Sequence, residues 1–269
     1  MTQEQKKLAS AISSKFISYR KAMINVWRDY LFIQVLVDDF TKKQVKTRNL
    51  EIENHNNNGS KKFFAKDIDG ICIRLRNSTN SKKALINSVA LTESFLQDLT
   101  QMIYKEYPNK LNSKEGVEVI GQQIKLTQLI FESQTKEEMI DKMIEEKVRG
   151  IFYGNPVDFF EKDKAKIGLD TMFKTSFSKA INKYSEVVNR RNIIIHNEGK
   201  VDRKYIRETK SALRLGSKPA IDKIYLKDSI NLLIGLSAAS VVAVLKTQGA
   251  TKFHKFLLSA EKRFCDDYR

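Results

Sequence analysis

Helix-breaking residues are scarce in this chain. Its 269 residues include only three prolines and eleven glycines. Proline removes a backbone donor and glycine costs backbone entropy. A chain with so few of either can run long helices and does not suit a sandwich of many short strands. The two cysteines, Cys72 and Cys265, stand far apart, which excludes metal-ligand spacing and a disulfide framework. Acids are outnumbered, with 32 Asp and Glu against 48 Lys and Arg. No apolar run is long and clean enough for a membrane span. The most apolar stretch, Ser229 to Leu245, is interrupted by Asn231, Gly235, Ser237 and Ser240 and reads as a buried helix. The opening Met-Thr-Gln-Glu-Gln-Lys-Lys is polar and carries no apolar signal region. The expected setting is the cytoplasm, with no membrane partner.

Hydrophobic residues make up 41% and charged residues 30% of the chain, a balance that supports a real core. The net charge of +16 predicts an extended positive field, and nucleic acid is the partner such a field favours. Incidental lysine richness gives the same number, so charge alone does not decide.

The periodicity predicts an all-α fold. Ile12, Phe16, Tyr19, Met23, Val26 and Tyr30 recur at spacings of three and four, giving a helix from Gln3 to about Phe40. The β-rich run Leu31–Val37 is read as its continuation. From Thr41 to Asn80 the character changes. A basic cluster (Lys42, Lys43, Lys46, Arg48) precedes the turn-forming run Asn54–Ser60, whose flanks, Leu50–Glu53 and Lys62–Ala65, could pair as a small β-hairpin. Ile71–Leu75 alternates like a strand. A second helix is expected after Ser81 as N-cap and runs to about Tyr107, with Glu93 inside its apolar stripe. Further helices are expected over Lys114–Phe131, from Thr135 to about Lys147, over Val157–Lys164, from about Asp170 or Ser176 to His196, and from Asp228 or Ser229 to about Thr247. Gly150–Pro156 reads as a turn.

Of the three histidines, His55 lies in a polar loop and His254 in a basic, aromatic tail, neither with partner residues in sequence. His196 differs. It ends the helix carrying Phe177, Ile181, Tyr184 and Val188, follows Arg191 and Asn192, and precedes Asn197-Glu198-Gly199, a helix stop. Spacing places Arg191 and Ile195 on the continuation of the apolar stripe, and puts Asn192 and His196 on one face. Between Lys200 and Lys227 nine basic residues face three acids. Lys200, Arg203, Lys204, Arg207, Lys210 and Arg214 are the candidate RNA contacts, and Arg203, Arg207, Lys210 and Arg214 would stripe one helical face beside Tyr205.

RNA carries its own nucleophile, the 2′-hydroxyl. Its cleavage requires a base, an acid and a cation against the phosphorane, but no metal. Imidazole moves protons near neutral pH, a guanidinium fork holds phosphate, and Asn can orient either without adding charge. One His does not readily serve both sides of a phosphate, whereas two copies across a twofold axis supply both groups. The structural alternative is a helix terminus in which His196 caps carbonyls and Arg191 forms a buried ion pair with an acid such as Glu93. Spacing alone leaves both open.

Arg191-Asn192-Ile193-Ile194-Ile195-His196 resembles the Arg-polar-x3–5-His motif of the HEPN superfamily ribonucleases. The wider string Arg190 to Val201 resembles the form found in bacterial stand-alone HEPN proteins of toxin and phage-defence loci. Leu85–Leu99 resembles their first bundle helix, with Glu93 as its acid. The resemblance covers about Ser81 to Thr247. It implies a HEPN-like helical bundle over residues 81–269 with a basic C-terminal tail, and leaves residues 1–80 as an N-terminal helix plus loop and hairpin extension. It further implies a homodimer with a shared, metal-independent site that needs no cofactor and leaves 2′,3′-cyclic phosphate ends. Arg191 would bind phosphate, Asn192 would orient, and His196 would act as general acid and base. Glu93, Arg190 and Asn197 would support them. The related toxins that a nucleotidyltransferase antitoxin silences share a tyrosine two residues after the histidine. Glu198 stands there in this chain, which argues against control by nucleotide addition and leaves a regulatory partner protein or another antitoxin. The rival reading is a non-catalytic HEPN-like module that binds RNA or protein.

Overall fold

The computed structural model describes residues 2–42, 50–53, 60–111, 133–153 and 155–269. His55, most of the basic cluster after Lys42, and the helix expected over Lys114–Phe131 lie outside them. The described residues are mostly helical: α1 (Gln3–Lys42), α2 (Ala65–Arg74), α3 (Asn80–Glu106), α4 (Lys136–Phe152), α5 (Asp158–Glu161), α6 (Asp170–Thr175), α7 (Ser178–His196), α8 (Arg203–Thr209), α9 (Lys223–Thr247) and α10 (Lys255–Tyr268). Two short strands, β1 (Leu50–Glu53) and β2 (Ser60–Phe63), pair antiparallel with Leu50 opposite Phe63.

Several boundaries differ from the sequence expectation. Ile71–Leu75 is not a strand: α2 covers it to Arg74, and a π-helical turn, Leu75–Thr79, joins α2 to α3. Burial explains why. Ile68 and Cys72, four apart, pack with Val37, while Ile73 is exposed, so the period that matters is helical rather than two. Ser81 is therefore inside a helix and caps nothing; its Oγ donates to the Ser78 carbonyl. α4 starts where expected, with the Thr135 hydroxyl accepting from the Glu138 amide at 3.1 Å, but it runs through Gly150 to Phe152 because Ile144, Val148 and Ile151 continue its buried face. α9 begins earlier than Asp228, where Asp222 Oδ1 accepts from the Tyr225 amide at 2.7 Å. α9 is apolar enough to pass a membrane-span test by composition, yet 78% of its most apolar window is buried inside the protein.

The chain divides into two compact units, neither of them contiguous. The first comprises residues 1–20, 90–188 and 231–269. Its core holds Ile12, Phe16 and Tyr19 of α1, Phe95, Leu99 and Ile103 of α3, and Leu232 to Leu245 of α9. Phe160 meets Phe173 and Tyr184, and Phe177 meets Phe264, so aromatic rings link α5, α6, α7 and α10. Two buried tyrosine hydroxyls of this core are paired. Tyr19 Oη lies 2.9 Å from Thr92 Oγ1 and accepts from Ser237 Oγ at 3.2 Å. Burial pushes the Tyr19 phenol up to about 12. Tyr104 Oη donates to the Ala165 carbonyl at 2.9 Å.

The second unit comprises residues 21–89 and 189–230. Its core holds Met23, Val26, Tyr30 and Val37 of α1, Ile68 and Cys72 of α2, Leu85 and Val89 of α3, and Ile193, Val201, Tyr205 and Leu226. Asn80 Nδ2 donates to the Tyr30 carbonyl at 2.9 Å and fixes the start of α3.

Gly235 is a close-approach position on α9. A Cβ there would lie 2.7 Å from Phe264 Cβ, an atom that cannot swing aside. Gly235→Ala should therefore lower stability by about 1–3 kcal/mol through overpacking, even though alanine favours helix by about 1 kcal/mol. Thermal melts of the two proteins check this.

Candidate functional site

α7 buries Ile181, Tyr184, Val187, Val188 and Ile193. Its end is closed by main chain. The Ile193 carbonyl accepts from the Asn197 amide at 2.9 Å and from the Gly199 amide at 2.8 Å. The chain turns there through two left-handed residues, Glu198 at φ +52° and Gly199 at φ +77°. A non-glycine residue in that region costs about 1–2 kcal/mol, so the turn must be braced. Asn197 Nδ2 donates to the Lys200 carbonyl at 2.7 Å, and Lys200 Nζ reaches Glu198 Oε2 at 2.8 Å. That hydrogen bond from Lys200, with the charges of Lys200 and Lys218, holds the Glu198 carboxyl below the usual range.

The motif sits on this end. Arg191 and Asn192 are half-buried and His196 is exposed. Asn192 and His196 are one turn apart on one face, roughly 5–6 Å between Cβ atoms by helix geometry. Ile195, expected on the buried stripe, is 47% exposed instead. The stripe passes through Ile193, which packs with Val201 and Tyr205. That shift explains why Arg191 is half-buried rather than fully enclosed. The carbonyl-capping role open to His196 is taken by the backbone turn and Asn197. Among the described residues the His196 imidazole makes no hydrogen bond. Glu93 is half-buried on α3 and belongs to the first unit, whereas Arg191 belongs to the second.

Arg190 and Asn197 make contacts that hold the fold around the motif. Arg190 Nη1 donates to the Ala220 carbonyl at 2.9 Å, Nη2 reaches Tyr205 Oη at 3.5 Å, and the guanidinium lies 4.2 Å from the centre of the Tyr225 ring. This one side chain ties α7 to the segment before α9. Asn197 braces the turn.

The basic belt keeps its charge but not the expected single stripe. α8 has only seven residues, starts where Asp202 Oδ1 accepts from the Tyr205 amide at 2.7 Å, and stops at Lys210 with φ +51°. Arg214 lies beyond it in a stretch that returns to Val201, whose amide donates to the Ser217 carbonyl and whose carbonyl accepts from the Gly216 amide. Lys200, Arg203, Lys204, Arg207, Lys210 and Arg214 are all exposed. Lys204 and Arg207 stand 4.0 and 3.9 Å from Glu208, and such exposed pairs are weak. Tyr205 is not a surface aromatic; it is 1% exposed and anchors the local core.

A feature without sequence signal lies in the second unit. The π-helical turn, the start of α3, α7 and the segment before α9 enclose a cavity of about 190 Å³. Its cationic and polar walls come from residues more than 100 positions apart, such as Ser81 and Arg190. No spacing rule could have joined them.

Arg190 and Arg207 look alike in sequence but differ in position. Arg190→Ala should cost about 1–3 kcal/mol, as a cation over an aromatic ring and a carbonyl partner are lost together. Arg207→Ala should stay within about 0.5 kcal/mol of the parent, as exposed substitutions do. Denaturant titration of both variants separates the two roles. No protein-family model, curated protein or solved structure matches the chain.

Proposed function

We propose that this protein is a metal-independent endoribonuclease of the HEPN type, acting as a homodimer in toxin or antiphage defence. The observation that carries this reading is the state of His196. It is exposed at the end of a long helix whose closure does not use it, with Asn192 one turn behind on the same face. A histidine needed only to finish a helix would be engaged there. A histidine for proton transfer must be accessible, held on a rigid element and oriented by a neighbour.

In the proposed reaction the 2′-oxygen attacks the adjacent phosphorus, and its proton passes to one His196. The bond from phosphorus to the 5′-oxygen breaks, and the leaving oxygen takes a proton from the His196 of a second copy. The Arg191 guanidinium faces the charge of the phosphorane. The products are a 2′,3′-cyclic phosphate and a 5′-hydroxyl. Exposed Ile195, between Asn192 and His196 in sequence, gives the motif face an apolar contact suited to a partner copy. The exposed cations from Lys200 to Arg214 provide salt-sensitive attraction for the RNA backbone.

Pure protein incubated with total RNA in EDTA tests the proposal. Cleavage should occur, and His196→Ala should reduce it about 10²–10⁴-fold, the usual contribution of a general acid or base. Equal degradation by both proteins would refute the enzyme. So would no cleavage by either with cognate partners present. Binding that weakens steeply with salt, with no cleavage, would select the RNA-binding module instead.

A further inference from the structure

The outer face of α1 changes character along its length. Asn25, Arg28, Phe32, Val35, Asp39 and Lys42 are all exposed, at spacings alternating three and four, and Leu36 stands beside them. This is the seam spacing of paired helices. At about 100° per residue the seam lies opposite the buried stripe of Met23, Val26, Tyr30 and Val37. Earlier on the same seam stand Ser14, Ser18 and Lys21, the residues of a solvated face. Phe32, Val35 and Leu36 break that pattern and are each more than half exposed. Three large apolar side chains on one helical face mark a contact surface rather than scattered surface apolars.

We propose that this face of α1 pairs antiparallel with the same face of a second copy of the chain. It is a self-association surface apart from the motif end of α7, in the part of the chain that the HEPN resemblance does not cover.

The charges select the occupant. In an antiparallel pair centred on the apolar group, Phe32 meets Val35 of the second copy, and the twofold repeats the contact. The same register sets Arg28 against Asp39 and Asn25 against Lys42. The seam is therefore complementary to itself reversed, a property that binding to an unrelated protein does not require. A parallel pair would instead set Arg28 on Arg28 and Asp39 on Asp39, which repel. Asp39 has an interaction within its own chain, but the two oxygens of a carboxylate accept from several donors at once. A lipid surface suits this face less well, because Asp29 and Asp39 flank the apolar group where an anionic membrane would require cations. The seam from Asn25 to Lys42 extends roughly 25 Å at 1.5 Å per residue, long enough for several interlocking layers.

The proposal stands apart from the ribonuclease reading. Were the motif end to pair as well, each chain would carry two twofold contacts, giving a closed tetramer or an open row.

Sedimentation of the full chain and its variants tests the pairing. The parent should associate to at least twice its 31.0 kDa. The Phe32→Ala, Leu36→Ala double variant should weaken association at least about tenfold, as loss of central apolar anchors does. Arg28→Asp and Asp39→Arg should each weaken it similarly, by placing like charges opposite one another. The Arg28→Asp, Asp39→Arg double variant should restore it, a rescue that a folding defect would not show. His196→Ala should leave the mass unchanged. A parent that stays monomeric at its highest soluble concentration overturns the proposal. So does an associated parent whose mass none of the α1 variants alters, a result that would place association elsewhere and leave the ribonuclease reading intact. Failure of the charge swap to restore pairing rejects the antiparallel register. A monomer that binds anionic vesicles through Phe32 would put a membrane in place of the second copy and also contradict the proposal.

Discussion

The double hydrogen bond to the Ile193 carbonyl is the constraint on which the site depends. By taking the amides of both Asn197 and Gly199, that carbonyl ends α7 within one residue of His196. The turn is strained at Glu198, and the strain is sustained by Asn197, by Lys200 and by the cluster of Ile193, Val201 and Tyr205. Because the amides of Asn197 and Gly199 close the helix, the imidazole takes no part in that closure. Were this closure to loosen, the last turn would fray, and His196 would lose its register with Asn192. The chemistry attributed to the site thus rests on a folding device that involves no catalytic group.

The arginines next to each other in sequence illustrate how a helix separates roles. Arg190 faces Ala220, Tyr205 and Tyr225 and acts as a clamp. Arg191, rotated by about 100°, is half-buried on the side leading to Asn192 and Ile195. One turn of helix therefore presents a structural cation and a cavity on one side and the proposed reaction groups on the other.

The helical character of the chain was legible because burial follows period 3.6 over long stretches, as in Ile12 to Tyr30 and Leu85 to Ile103. Short alternating runs misled. Ile71–Leu75 reads as a strand until Val37 is known to meet Ile68 and Cys72, a contact that only the tertiary fold provides. The proposed stripe over Arg203 to Arg214 failed for a local reason: Lys210 adopts a left-handed conformation that nothing in its identity announces. Placing Ile195 on the buried face failed because extrapolating one stripe assumed a constant partner, whereas Ile193 is drawn toward Val201 and Tyr205. The placement of Asn192 and His196 on one face of a helix needed only helical spacing, and so could be read in advance. The structural duty of Arg190 could not, since Ala220 and Tyr225 are thirty and thirty-five positions away and lie in irregular chain or a different helix.

The claim that His196 uses the RNA's own hydroxyl can be tested at the product ends. Mass spectrometry of fragments cut from a defined oligoribonucleotide in EDTA reads them directly. Fragments carrying 2′,3′-cyclic phosphate and 5′-hydroxyl ends are expected, with none formed by His196→Ala. Ends carrying 5′-phosphate and 3′-hydroxyl would mean that water, not the 2′-oxygen, attacks the phosphorus, and would contradict the proposed role of this histidine.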